Sequence, residues 1–341
     1  MSLFKRAVST AMVAGAIAGF AVTAQAKTEL TISSWAPPTH GINAVMWPKF
    51  VEMIEQATQG RVTAQIKYNI GSPPAQLDMV QDGAADFSWI FNGYTPGRFA
   101  ATKLIELPGF KGSAEAASVA YWRVHNKYLA KANEHRGVTV VSLMTHGPGV
   151  LHSASYVNSL DQIKGMKLRL GGGVAGDAGT LLGATGIRVP APKVYETLAS
   201  NAADGVMMPW EGKKSFKLTE VAPHTYEMPG GFYRGAFAII MNTDRLKSLS
   251  KKDQAALTSP AFGEAVAKMA GAVWDQIDAE GRLASAQTKG NTATMATDAD
   301  VAKYAEMTKP IIDQVVADAT KAGVDGKAAL EAIKAELAAY K

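Results

Sequence analysis

Residues 75–90 read AQLDMVQDGAADFSWI and residues 193–208 read KVYETLASNAADGVMM. Each begins with apolar residues at helical spacing and reaches a residue tolerant of left-handed backbone, Gly83 or Asn201. Ala-Ala-Asp follows, ending in Asp86 or Asp204, and then an apolar run of strand length. The same helix-to-strand unit is therefore written twice, which points to two paired α/β lobes; chance similarity of a common supersecondary unit is the alternative. Upstream of the first unit, Thr28 to Ser33 alternates as a strand, Asn43 to Thr58 has helical spacing, and Arg61 to Tyr68 alternates again. An opening of β-α-β implies a mostly parallel sheet with covering helices.

Between the units, Val138 to Leu143 and Met166 to Leu170 read as short strands, and Phe237 to Met241 as another after the second unit. Beyond Ser250 the pattern turns helical, with segments at 251–257, 262–288, 298–322 and 326–340. Thr297 and Asp298 are candidate caps and Gly323 a candidate stop.

Ahead of all this, Lys5 and Arg6 precede an apolar stretch from Ala7 to Val22 that ends in Ala24-Gln25-Ala26. That is the pattern of a secretory signal peptide, with cleavage predicted after Ala26. As an anchor the stretch is short for a hydrocarbon core about 30 Å thick, and Ser9, Thr10, Gly15 and Gly19 weaken it further. The chain has 341 residues, 47% hydrophobic and 19% charged, and no cysteine. Disulfide scaffolds, thiolate metal sites, cysteine nucleophiles and an acylated-cysteine anchor are thereby excluded. An exported chain that cannot form disulfides suits a bacterial periplasm. The formal charge of +5 is spread without a basic stripe, which argues against nucleic-acid binding.

Gly171, Gly173 and Gly176 form G-x-G-x-x-G after a strand, with Glu196 beyond, a pattern shared with dinucleotide-binding turns. An exported protein has no ready nicotinamide supply, so a flexible turn opening a helix is preferred. Arg169 sits between Leu168 and Leu170 at a strand's carboxyl end, where a buried guanidinium needs an acid. That acid belongs either to the protein or to a ligand. Aromatic residues recur near strand ends: Trp35 and His40, then Trp89, Phe91 and Tyr94, then Trp210, then Phe232 and Tyr233. Each is core or cleft wall. Glu211 is a ligand hydrogen-bond acceptor or a surface acid. His146 and His152 flank a Pro-Gly turn, but no zinc-protease or nucleophile-elbow motif accompanies them, and no catalytic or metal-binding residue is assigned.

With the leader, the opening Leu30-Thr31-Ile32-Ser33-Ser34-Trp35-Ala36-Pro37-Pro38-Thr39-His40, the run Asp86-Phe87-Ser88-Trp89, the run Gly93 to Phe99 and Glu106-Leu107-Pro108, the chain resembles the solute-binding proteins of TRAP (tripartite ATP-independent periplasmic) transporters. The run Asp161 to Arg169, followed by Gly183-Ala184-Thr185, Val189-Pro190, Val194 to Leu198 and Asp204-Gly205, is the most specific part of the resemblance. It implies an α/β fold of two lobes joined by hinge strands and a long helix, closing on an organic acid. It also implies that Arg169 is the carboxylate clamp. The lobes are expected at 27–148 plus about 236–280, and at 149–235 plus about 281–341.

Two departures bear on the ligand. Many family members carry an upstream arginine where this chain has Gly147 to His152, and an Asn where it has Met207-Met208-Pro209. One retained arginine favours a monocarboxylate with an apolar or aromatic body; the alternatives are a dicarboxylate, with His152 or Arg234 as a second clamp, a sulfonate, or, in another class, a periplasmic enzyme acting on an organic acid. The expected binding residues are Arg169, walls Trp35, Trp89, Met208, Trp210 and Phe232, and Glu211 or Asn92 as reader of a hydroxyl or keto group. The resemblance further implies delivery to a TRAP-type permease, with no ATPase and no cofactor.

Overall fold

The described residues, 27–340 of a computed structural model, carry eleven strands; the signal peptide and its cleavage lie outside the described residues. The strands are β1 (Thr28–Ser34), β2 (Val62–Tyr68), β3 (Phe87–Phe91), β4 (Thr139–Thr145), β5 (Val150–Ser153), β6 (Lys167–Leu170), β7 (Thr185–Arg188), β8 (Gly205–Met208), β9 (His224–Glu227), β10 (Ala236–Met241) and β11 (Thr292–Met295). They form two sheets, ordered β2-β1-β3-β10-β4 and β11-β9-β5-β8-β6-β7.

Each sheet is parallel apart from one reversed strand, β10 in the first and β5 in the second. In both cases the reversed strand is one by which the chain arrives from the other sheet. Read from one edge, β2-β1-β3-β10-β4 corresponds to β7-β6-β8-β5-β9, so the two lobes share one strand order and exchange one strand. The two crossings run side by side: Gly149 N–H donates to Tyr233 O at 2.8 Å, and Phe232 N–H to Gly149 O at 2.8 Å.

The repeated sequence unit now has a physical account. Gly83 and Asn201 adopt φ of +77° and +56° and end helices Gln76–Gln81 and Val194–Ala199. Asp86 Oδ2 accepts the Thr31 N–H at 2.8 Å, and Asp204 Oδ2 accepts the Lys167 N–H at 2.7 Å. Their carbonyls accept from Asn242 and Ala154, at the outer ends of the two reversed strands. Each aspartate thus fastens three neighbouring strands at the end remote from the cleft.

The helix Pro260–Gln287, capped by Ser259, spans both lobes. Gly271 lets it approach the start of helix Ala114–Lys127, where a Cβ would lie 2.5 Å from Glu115 Cα; Gly281 does the same at Trp210 O, at 2.1 Å. Thr297 caps helix Asp298–Lys321, and Gly323 at φ +85° stops it. The last helix, Gly326–Ala339, was grouped by sequence with the second lobe. It packs on Ala114–Lys127 behind the first sheet, where Glu336 pairs with Arg123 at 2.9 Å.

Candidate ligand-binding site

Strands β1, β3, β6 and β8 all direct their carboxyl ends toward one cavity between the sheets, the usual ligand position in open α/β sheets. It contains about 420 Å³ of non-atom space, part of it open to solvent. One wall is an aromatic stack. Trp35 lies on Trp89 with centroids 4.0 Å apart and planes 5° apart; Phe237 continues from Trp89 at 5.4 Å, and Trp274 from Phe237 at 5.4 Å. The indoles are locked by Trp35 Nε1 donating to Trp89 O and Trp89 Nε1 to Ser34 Oγ, each at 3.0 Å. Met208, Pro209 and Phe216 of the second lobe face this stack.

Arg169 is buried at the cavity's polar end. Its Nε donates to Val189 O at 2.8 Å and its Nη2 to Tyr94 Oη at 3.2 Å. Among the described residues no carboxylate comes within ion-pair distance of it. The choice left open by sequence, a protein acid or a ligand acid, therefore goes against the protein acid. Tyr94 Oη also accepts the Ala191 N–H at 2.8 Å, so it receives two bonds and its own hydrogen remains free to donate. Its partners come from the other lobe, which makes Tyr94 a contact across the cleft.

Glu211 lies in the same cavity, also buried, with its N–H donating to Asp278 Oδ1 at 2.8 Å. Its Oε2 stands 3.4 Å from His40 Nε2, again across the cleft. Asp278 is pushed up to about 8, chiefly by burial and further by the Glu211 charge, against the lowering effect of that N–H bond. His146 Nδ1 lies 2.6 Å from Gly147 O; burial holds the ring down to about 4, so it lines the cavity uncharged.

Three expected members are held elsewhere. Trp210 turns away from the cavity: its Nε1 donates to Glu227 Oε2 at 3.0 Å, and the Arg282 guanidinium covers the ring at 4.4 Å. Phe232 packs on Tyr304, with centroids 5.1 Å apart, beneath helix Asp298–Lys321. Asn92 Nδ2 donates to Tyr121 Oη at 3.2 Å, and the side chain lines a separate polar chamber with Lys103, Glu106 and Arg188. Trp35, Trp89, Met208, Arg169 and Glu211 are brought together. Neither reserve clamp faces the cavity. Arg234 grips the Gly112 and Ser113 carbonyls, and His152 is held between Thr225 Oγ1 and Pro209 O at 3.0 and 3.2 Å, with burial lowering it to about 3.

The glycine triplet that imitates a nucleotide turn has a different use. A Cβ on Gly172, at φ +98°, would lie 2.3 Å from Gly93 O, and one on Gly173 would lie 2.3 Å from Glu106 Oε2. Glu106 Oε2 accepts the Val174 N–H at 2.8 Å, so the protein's own acid occupies the first turn of helix Val174–Leu181. Sequence reasoning missed Tyr94 as a polar group and Trp274 altogether. The aromatic next to the Gly93 turn was a usable signal for the first; nothing local distinguished the second.

The model of the bacterial extracellular solute-binding protein family 7 matches residues 32–318. A crystal structure of a TRAP periplasmic solute-binding protein from Bordetella bronchiseptica with bound (R)- and (S)-mandelate is similar at a TM-score of 0.87 and 38% identity, covering 91% of this chain and 99% of that one. Another from Rhodoferax ferrireducens, holding copurified benzoate, has a TM-score of 0.84 and 26% identity, covering 92% and 98%. Among curated proteins, the outer membrane transporter protein TsaT of Comamonas testosteroni is 30% identical over 340 residues, 98% of this chain and 99% of that one.

Proposed function

This chain belongs to bacterial extracellular solute-binding protein family 7, the receptors of TRAP transporters, and from that premise we propose that it captures a small aromatic monocarboxylate between its lobes and passes it to a membrane permease. The observation that carries the ligand class is Arg169: a buried guanidinium without an acid partner among the described residues, at the end of a cavity walled by stacked indoles. A ligand carboxylate supplies the missing charge, and the Tyr94 hydroxyl adds a donor to it. The aromatic wall formed by Trp35, Trp89, Phe237 and Trp274 suits an aromatic body. The mandelate and benzoate held by the two similar structures support this class.

The family to which the chain belongs is periplasmic, and among the described residues no helix is long and apolar enough to cross a membrane. Export by cleavage after Ala26 completes the reading; the mass of the mature protein tests it. The partner is a TRAP-type permease, and uptake that persists after its deletion would refute that assignment. Mass spectrometry of the copurified acid, followed by a thermal-shift screen of benzoate, mandelate, phenylacetate, succinate and toluenesulfonate, tests the ligand class. A shift with aromatic monocarboxylates and none with succinate is expected. Stoichiometric recovery of the bound acid unchanged after incubation distinguishes a receptor from an enzyme, and small-angle scattering should show compaction on binding.

A further inference from the structure

Beyond the carboxylate clamp, the cavity holds two buried groups of opposite hydrogen-bonding sense that the clamp does not use. Among the described residues Glu211 Oε2 has no hydrogen-bond partner, its polar neighbour being His40 Nε2 at 3.4 Å. Trp274 Nε1 has none either. Both residues line the cavity. Glu211 is fixed from behind by Asp278, and His40 by the Ile42 N–H, which its Nδ1 accepts at 3.1 Å, so that Nε2 bears the hydrogen. A buried oxygen and a buried N–H left unpartnered in residues that line one cavity are each costly, and an occupant that reaches both relieves both.

That occupant must donate to the carboxylate and accept from an N–H. A second ligand carboxylate accepts only and is repelled by Glu211. An ammonium donates only. A methyl or halogen satisfies neither group, whereas a hydroxyl satisfies both. We propose that Glu211 is the specificity-determining residue for a ligand hydroxyl, and that the site takes a hydroxylated aromatic monocarboxylate. The hydroxyl donates to Glu211 Oε2 and accepts from Trp274 Nε1 or His40 Nε2. Because His40 follows β1 and Glu211 follows β8, such a hydroxyl ties the lobes together at the point remote from neither sheet's strand ends. The inference rests on the aromatic-monocarboxylate reading of the same cavity.

Isothermal titration of the mature protein with two matched pairs, mandelate with phenylacetate and 3-hydroxybenzoate with benzoate, tests it. In at least one pair the hydroxylated acid should bind at least about tenfold tighter. Glu211→Leu should abolish that gap, the two members of the pair then binding alike; Glu211→Ala serves if the leucine variant does not fold. Equal binding within both pairs, or a gap that survives in the folded variant, overturns the hydroxyl assignment while leaving the aromatic-acid reading intact. Failure of all four acids to bind overturns both.

Discussion

Truncating Arg169 should cost most of the affinity for an aromatic acid and little of the fold. The guanidinium has five N–H groups. One goes to Val189 O and one to Tyr94 Oη, so three remain, enough for a forked carboxylate and one further acceptor. Removing one partner of a buried, hydrogen-bonded charge pair costs about 2–5 kcal/mol, a loss of roughly 30-fold to several thousand-fold. The folded protein itself loses only the bond to Val189 O and the one to Tyr94, and no ion pair. Titration of benzoate and mandelate into Arg169→Ala, with circular dichroism to establish folding, is the assay. Arg169→Lys should fall between parent and alanine variant, because an ammonium restores charge without the planar fork. If folded Arg169→Ala binds either acid within about threefold of the parent, the guanidinium does not hold the carboxylate and the charge argument for a monocarboxylate goes with it.

Tyr94→Phe removes a donor to the ligand and the anchor of Arg169 Nη2, and strands the Ala191 N–H; titration should show an affinity loss of about 5- to 150-fold. Gly172→Ala places a methyl 2.3 Å from Gly93 O on a backbone at φ +98°, so scattering should show a protein that no longer compacts with ligand. Stability should peak near pH 6.5 in thermal unfolding. His125, His135, His146 and His152 are all lowered to about 3–4 by burial, so the unfolded chain binds more protons and stability falls as pH drops from 6.5 toward 4. Glu106 and Asp278 are raised to about 8 by burial, so the folded chain binds more protons and stability falls as pH rises toward 8, with Lys213, lowered to about 7, offsetting part of that loss. Glu106→Gln should flatten the alkaline side of the peak, and an unaltered profile would show that Glu106 stays ionised across this range.

The repeated unit was legible because everything that defines it is local: a helix, a left-handed stop, an aspartate and a strand within sixteen residues. What the aspartates do was not legible, since their partners Thr31 and Lys167 lie on other strands. The strands β5, β7, β9 and β11 have four residues each, too few for alternation to stand out from a turn. The strand exchange was hidden for another reason, since it depends on which sheet a segment joins and not on its own pattern. Arg169 was legible from the conflict between its charge and its apolar neighbours. Trp210 and Glu211 are adjacent, yet only Glu211 enters the cavity, because the Glu227–Arg282 pair draws the indole to the other side. Trp274 joins the stack from the middle of a 28-residue helix, where its spacing is that of any core residue.

The same features that select the ligand also bear on when the lobes meet. Where they meet without ligand, the contact region contains, among the described residues, a buried guanidinium lacking an acid and a buried Glu211 oxygen that makes no hydrogen bond. An uncompensated buried charge costs several kcal/mol even after relaxation, whereas in separated lobes water serves both groups. The bonds gained across the cleft run from Ala191 N–H and Arg169 to Tyr94 and from Val174 N–H to Glu106, worth about 1–3 kcal/mol each, with the part-exposed Lys103–Asp177 pair adding about 0–1 kcal/mol. They offset part of that desolvation. A ligand carboxylate reverses the sign of the largest unfavourable contribution. Moving such an equilibrium from 1:99 to 99:1 takes about 5.5 kcal/mol of differential binding, which a forked ion pair in a dry cavity, with an added donor from Tyr94, is of the right size to supply. Arg169 therefore has two consequences from one placement: it sets the charge of the ligand, and by remaining unpaired in the protein it makes closure conditional on that ligand.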